Sequence, residues 1–252
     1  MRIAIQTDIG RIRMLNEDRA VIQNMKGFAL AIVADGMGGH QAGDVASQMA
    51  IDLIQKHLEQ SLSESSSLEE CKLCVEEAIL KANQEIFEVA SGREQFHGMG
   101  TTVVAALQTH DTMIIAHVGD SRAYKIDQSS IVQLTEDHTL VNELLKYGQL
   151  TPEEADHHPR RNVITRALGT DQEVQVDVQE LGWKEKEIVL LCTDGLSGMV
   201  DETSIFTLIH SEANLQKAAD RLVQAALEAG GDDNVTVILL ANDQISDDVE
   251  TR

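Results

Sequence analysis

The sequence predicts an α+β fold built on antiparallel strands, and three observations carry that expectation. Residues 101–107, 112–118, 123–126 and 131–134 are apolar, β-branched runs that follow one another with no helix between them. A parallel array would need a long crossover at each step. Apolar residues recur at helical spacing elsewhere, near 45–60 and 68–89 and again near 201–210 and 214–229. Finally, 42% of the 252 residues are hydrophobic and only two are proline, which suits a packed core and leaves no proline-rich linker to divide it.

In chain order, residues 3–7 and 19–24 read as strands around a loop of mixed charge in which Arg13 precedes Asp18. Residues 29–34 form a continuous apolar run, the pattern of a strand covered on both faces. The run stops at Asp35-Gly36. A glycine-dense turn, Met37-Gly38-Gly39-His40, then leads into a helix marked by Val45, Ala46, Met49, Ala50, Leu53 and Ile54. Residues 61–67 are a serine-rich connection, and a second amphipathic helix covers 68–89. After the strands of 101–134, residues 140–147 and the Thr151-Pro152-Glu153-Glu154 start read as two short helices. With His157, His158, Arg160, Arg161 and Arg166 they make one basic stretch in an acidic chain. Strands are expected again at 174–178 and 187–192, helices at 201–210 and 214–229, and a last strand at 235–240. No repeat or linker intervenes, so the expectation is one domain over residues 1–241 and a polar tail at 242–252.

Composition excludes several roles. Twenty Lys and Arg against 42 Asp and Glu give a formal net charge of -22, which repels nucleic acid and anionic membrane. No apolar run approaches the roughly 20 residues of a membrane span. The first residues enter a strand pattern without the layout of a signal peptide, so the expectation is cytoplasmic residence with no membrane insertion. Cys71 and Cys74 form a Cys-x-x-Cys, but both lie inside a helical pattern and no second pair completes a zinc tetrad. They read as structural.

The informative feature is repetition. Asp35-Gly36, Asp120, Asp194-Gly195 and Asp233 each stand where a strand-like run ends. Carboxylates at the ends of buried strands are costly unless their charge is compensated. Strand ends can converge on one rim of a sheet structure, and carboxylates converging there need cations. Ligation by oxygen alone favours Mg2+ or Mn2+, with Ca2+ as a further option, over Zn2+. Chemistry alone therefore suggests a binuclear hard-metal site suited to phosphoryl transfer. The glycine turn is no nucleotide loop: no Lys-Ser/Thr follows it, and its spacing departs from the dinucleotide fingerprint.

Seven motifs stand in a telling order. They are Asn16-Glu17-Asp18, Val33-Ala34-Asp35-Gly36-Met37-Gly38-Gly39-His40, Gly98-Met99-Gly100-Thr101-Thr102, His117-Val118-Gly119-Asp120-Ser121-Arg122, Thr135-Glu136-Asp137-His138, Cys192-Thr193-Asp194-Gly195-Leu196 and Gly231-Asp232-Asp233-Asn234-Val235-Thr236. Together, over residues 2–241, they resemble the metal-dependent protein phosphatases, the type 2C or PPM family of Ser/Thr phosphatases. The pattern is most similar to small bacterial members that partner membrane Ser/Thr kinases with extracellular PASTA repeats.

The resemblance implies a central β-sandwich of two antiparallel sheets with helices on both outer faces, an α-β-β-α arrangement. It places a metal centre at one end, beside a small flap at about 146–166. It implies two Mn2+ or Mg2+ ions, with Asp35 bridging them, the Gly36 carbonyl on one, and Asp194 and Asp233 completing the other. Asp18 matches a carboxylate that acts through metal-bound water, and Glu17 a position that varies. Asp120 matches a ligand shared with Asp194 at a third, weaker metal. Arg13 matches the arginine that binds the substrate phosphate. A bridging water, activated as hydroxide, would then attack phosphorus in line with no phosphoenzyme. The implied substrates are phosphorylated proteins, including a cognate membrane kinase, with monomer as the default state.

One departure concerns the proton for the leaving group. Met37 stands where many eukaryotic members carry a histidine, and His40 is the nearest histidine in this chain. Either His40 or a metal-bound water is left to supply the proton, so His40 joins Arg13 as a substrate-side candidate. Arg160, Arg161 and Arg166 are further candidates for attracting phosphopeptide. Two other readings stand beside this one. One is a phosphatase of small phosphoesters or of one dedicated regulatory phosphoprotein. The other is a non-catalytic binding relative, which the presence of Asp18, Asp35, Asp120, Asp194 and Asp233 disfavours.

Overall fold

Strand β3 (Phe28–Met37) shows how the layers are built, because its two faces are both apolar for different reasons. Leu30, Ile32 and Ala34 pack outward against α1 (Ala42–Ser61) and α2 (Leu68–Gly92), in a cluster with Ile54, Leu58, Val75 and Ile79. Ala31 and Val33 point the other way, into a second cluster shared with Val189, Leu191, Ile238 and Leu240 of the opposite sheet. A strand buried on both faces loses its alternation of polar and apolar residues, and so reads as one apolar run. Each fully buried Leu or Ile contributes about 1.5–3 kcal/mol to this packing.

The computed structural model describes residues 1–38, 42–109 and 112–242. His40, the turn residues His110 and Asp111, and the tail beyond Asn242 lie outside the described residues. One sheet has the order β1 (Arg2–Asp8), β11 (Val235–Ala241), β10 (Ile188–Cys192), β7 (Arg122–Ile126) and β8 (Ile131–Gln133). The other runs β2 (Asp18–Met25), β3, β5 (Val103–Gln108), β6 (Thr112–Val118) and β9 (Asp177–Gly182), with the short β4 (Gly100–Thr101) also paired to β3. Every pairing in both sheets is antiparallel. The outer face of the first sheet is covered by α6 (Glu202–Ser211) and α7 (Leu215–Glu228), whose Ile205, Ile209, Leu222 and Val223 pack on Leu190, Val237 and Leu239. The α-β-β-α arrangement is thus present as expected.

Local signals start the helices where the sequence places them. Ser67 opens α2 with a reciprocal capping box: its hydroxyl accepts from the Glu70 amide, while the Glu70 carboxylate accepts from the Ser67 amide at 2.7 Å. Thr151 does the same with Glu154 for α4 (Pro152–Asp156), which follows α3 (Leu140–Lys146). This two-helix excursion closes on itself where the Leu140 amide donates to the Val163 carbonyl at 2.9 Å. No helix among the described residues is long and apolar enough to cross a membrane.

Two expected elements differ. The strand read at 174–178 lies instead at β9, because its register ends with Asp177 opposite His117, one residue before β6 ends at Val118. The apolar residues Val174 and Val176 pack on the core without a strand partner. A helical turn, α5 (Asp194–Ser197), also stands directly after β10, where the sequence reading had only a strand exit.

Candidate metal centre and active site

The loops and strand ends at one end of the two sheets carry the carboxylates. Asp18 opens β2 and lies directly opposite Asp35 on β3. The backbone of Asp35 is locked by two threonines: its amide donates to Thr102 Oγ1 at 3.1 Å, and its carbonyl accepts from the Thr102 amide and from Thr101 Oγ1 at 2.9 and 2.8 Å. Asp194 begins α5, Asp233 precedes β11, and Asp120 follows the Gly119 turn after β6. Gly36 is required here by space. A Cβ on it would come within 2.1 Å of the Gly43 carbonyl, so the start of α1 rests directly on the backbone of β3.

Arg13, Glu17, Asp35, Gly36, Asp194 and Asp233 line one cavity of about 330 Å³. A second, of about 640 Å³, is lined by Asp120, Arg122, Leu145 and Arg161, and Asp194 and Asn162 belong to both. Loss of hydration is the main force on the carboxylates, followed by their mutual repulsion. Burial pushes Asp18 up to about 7, against hydrogen bonds from Thr236 and Thr193 and with repulsion from Asp194 and Asp233. Asp120 is likewise pushed up to about 7 by burial, then by Asp194 and Asp137. Asp35 keeps part of its surface on the cavity, yet dense packing and the charges of Asp18, Asp194, Asp120 and Asp233 hold it well above the usual range. Asp194 is raised by burial and by Asp233.

These residues fit a divalent metal centre on an observation of their own. Glu17 Oε1, Asp18 Oδ1, Asp120 Oδ1 and Asp194 Oδ1 are buried with no hydrogen-bond partner. Buried acceptors without donors are rare and costly. Several of them, all oxygen, in one repelling cluster make a donor set that hard cations satisfy. Arg13 lines the smaller cavity with them, and its Nη2 donates to Asp233 Oδ2 at 2.6 Å.

A different cluster, His117, His138 and Asp177, brings three potential ligand atoms within 4.8 Å of one another. Its hydrogen bonds assign it another role. The Gly119 amide donates to His138 Nδ1 at 3.0 Å, so His138 Nε2 carries the proton and faces Asp177 Oδ2 at 3.4 Å. His117 Nε2 donates to the Glu136 carbonyl at 2.9 Å. Burial holds both rings neutral, with His138 lowered to about 4. His138 thereby fixes the Gly119–Asp120 turn, with the His117 ring stacked on it at 4.7 Å. Asp177 also accepts from Arg166 at 3.0 Å, so of the three candidate arginines Arg166 is tied to the acidic surface, while Arg161 lines the second cavity. Arg160 is exposed and lines neither cavity.

Sequence reasoning missed Asn234. Its Oδ1 accepts from the Glu17 amide at 2.7 Å, and its Nδ2 donates to the carbonyls of Ile9 and Leu15 at 2.8 and 2.9 Å. One buried amide thereby pins both ends of the loop that carries Arg13. The only signal available was an amide side chain directly after Asp233, a residue type that can donate and accept at once. Gly10, at φ 83°, completes the fit: a Cβ there would come within 2.2 Å of the Asp233 carbonyl.

The profile of the protein phosphatase 2C family matches residues 11–230. The chain belongs to this family. It is similar to the serine/threonine phosphatase stp of Listeria monocytogenes, 41% identical over 96% of each chain. Its structure is similar to that of the Streptococcus agalactiae serine/threonine phosphatase, with a TM-score of 0.90 and 36% identity over 96% of this chain and 99% of that one. A third similar structure is the catalytic domain of the serine/threonine phosphatase PstP in complex with two manganese ions. That match has a TM-score of 0.81 and 34% identity over 94% and 96% of the chains. As a protein phosphatase 2C member the chain is a serine/threonine protein phosphatase and a metal-dependent hydrolase.

Proposed function

We propose that the chain removes phosphate from phosphoserine and phosphothreonine of proteins at the smaller cavity. In this reading Asp35, the Gly36 carbonyl, Asp194 and Asp233 hold two Mn2+ or Mg2+ ions. Asp18 supports them from one layer further out, and Asp120 with Asp194 offers a third, weaker position. The observation that carries the reading is the set of unpartnered buried oxygens on Asp18, Asp120 and Asp194. When bound, the ions supply activation of water as nucleophile and offset charge on the phosphoryl group.

The chain's own contribution is positioning. Arg13 leans on Asp233 through one N–H and keeps other donors of its planar fork for phosphoryl oxygens, where charge grows in the transition state. Asn234 holds the loop that aims it. A phosphocysteine intermediate has no support: Cys192 is buried with its thiol pushed up to about 12, and burial also raises Cys71 and Cys74. The flap at about 146–166 gives a protein substrate a surface to rest on. The physiological reading is reversal of a cognate membrane Ser/Thr kinase, acting as a cytoplasmic monomer on that kinase and its substrates.

The test is hydrolysis of a phosphothreonine peptide and of a sugar phosphate, with Mn2+, with Mg2+ and with chelator, alongside Asp35→Asn. Metal-dependent turnover of the peptide that the variant abolishes is the expected result. Preference for the sugar phosphate would move the assignment to small phosphoesters, and turnover in chelator would remove the metal site.

A further inference from the structure

The loop between β1 and β2 carries an apolar surface that the carboxylate chemistry does not use. Of the ten large apolar side chains exposed among the described residues, four (Ile9, Ile12, Met14 and Leu15) fall between positions 9 and 15. Ile12 is 66% exposed and Met14 89%, and they flank Arg13, which lines the smaller cavity. A second segment at this cavity repeats the pattern. Val163 is 43% exposed and sits between Asn162 and Ile164, both of which line the same cavity.

A slack loop would fold such side chains away from water. This one is held by Asn234 at Ile9 and Leu15, by the Gly231 carbonyl at the Arg11 amide, and by the Leu227 carbonyl at Arg11 Nε. Concentrated apolar exposure on an anchored segment marks a contact surface. Its continuity with the cavity identifies the occupant. A phosphorylated residue that reaches Arg13 enters a cavity bordered by both segments. Its neighbours, spaced about 3.3 Å per residue in an extended segment, stay within reach of the side chains adjoining Arg13 and Asn162. Apolar walls recover hydration free energy from apolar neighbours. The net charge of -22 meanwhile disfavours acidic segments and anionic lipid.

We propose that Ile12, Met14 and Val163 form a specificity surface that selects phosphoprotein segments with apolar residues on both sides of the phosphoserine or phosphothreonine. The proposal rests on the catalytic reading above and deepens it. The experiment compares two phosphothreonine peptides, one with leucine and one with serine on each side, and p-nitrophenyl phosphate. All three are assayed with the native enzyme and with the double variant Ile12→Ser/Met14→Ser. The native enzyme should prefer the leucine peptide by about tenfold in kcat/KM, mostly through KM. The double variant should lose that preference and hydrolyse p-nitrophenyl phosphate at the native rate, which also shows that it is folded. Val163→Ser alone should weaken the preference in part. Equal kcat/KM on the two peptides, or a preference unchanged in the double variant, overturns this inference and leaves the catalytic reading standing. Failure of the native enzyme to hydrolyse any of the three substrates with any metal overturns the catalytic reading and the specificity surface together.

Discussion

Asp18 and Asp35 are direct cross-strand partners, two carboxylates set opposite one another on β2 and β3 at the end of the sandwich. Like charges in that relationship destabilise a sheet, and here Asp194 and Asp233 add to the repulsion. Replacing Asp35 by Asn should therefore relieve the metal-free protein. We expect a melting temperature in chelator raised by about 2–4 °C for each kcal/mol of repulsion removed. Added Mn2+ should no longer stabilise the variant, and phosphopeptide turnover should fall more than about 100-fold, beyond the loss typical of a group one layer outside a metal. Thermal melts with and without metal, beside the peptide assay, check all three.

Metal stabilisation should grow with pH. The folded-state values of Asp18 and Asp120 are raised to about 7, above the ordinary carboxyl value near 4. Between those limits the folded chain binds more protons than the unfolded one, so stability falls as pH rises from about 4 through about 7. The neutral His117 and His138 act in the opposite sense, since their folded values are depressed and their contribution is lost as pH falls below about 6.5. Subtracting the melt in chelator from the melt in Mn2+ cancels the histidines. The difference should widen from pH 6 to pH 8, because the metal then displaces fewer protons.

Arg13→Ala should lower kcat/KM by about 100- to 1000-fold, the loss seen when one preorganised donor to a developing oxyanion is removed. Arg13→Lys should recover little, because an ammonium replaces the planar fork by a point charge. Steady-state kinetics on a phosphothreonine peptide separates the two variants.

Asn234→Ala removes three hydrogen bonds at once. A stability loss of about 2 kcal/mol is expected from the donor and acceptors left buried, read from urea unfolding. Activity should fall at least about tenfold as the Arg13 loop loses its anchor. Asn234→Asp keeps an acceptor for the Glu17 amide but sets a buried carboxylate oxygen against the Ile9 and Leu15 carbonyls, and should be less stable than Asn234→Ala.

Much of this molecule was legible because local chemistry announces it. Residues 29–34 betray a doubly covered strand through the absence of alternation, and a carboxylate that ends such a run is conspicuous. Pairing is not local. Nothing in the vicinity of Asp177 says that β9 must begin where β6 has a residue to offer, so the expected strand started too early. Nor does local sequence distinguish Arg161 from Arg166, since Asp177 decides which is tied. Asn234 acts on Glu17 across 217 positions, a relationship that no window of sequence contains. The two-sheet sandwich itself came from the order of the motifs rather than from periodicity.

The pairing of β1 with β11, Arg2 opposite Ala241, has a consequence in time. Strand β11 lies between β1 and β10, so during synthesis β1 waits without its partner until Val235–Ala241 has been translated. Asp233 and Asn234 arrive with that same late segment. A ribosome-bound chain stalled before it has neither a complete first sheet nor an aimed Arg13, and is inert toward the phosphoproteins around it. A product ending before Asp233 should therefore be silent rather than partly active, which an assay of that truncation on a phosphothreonine peptide would check.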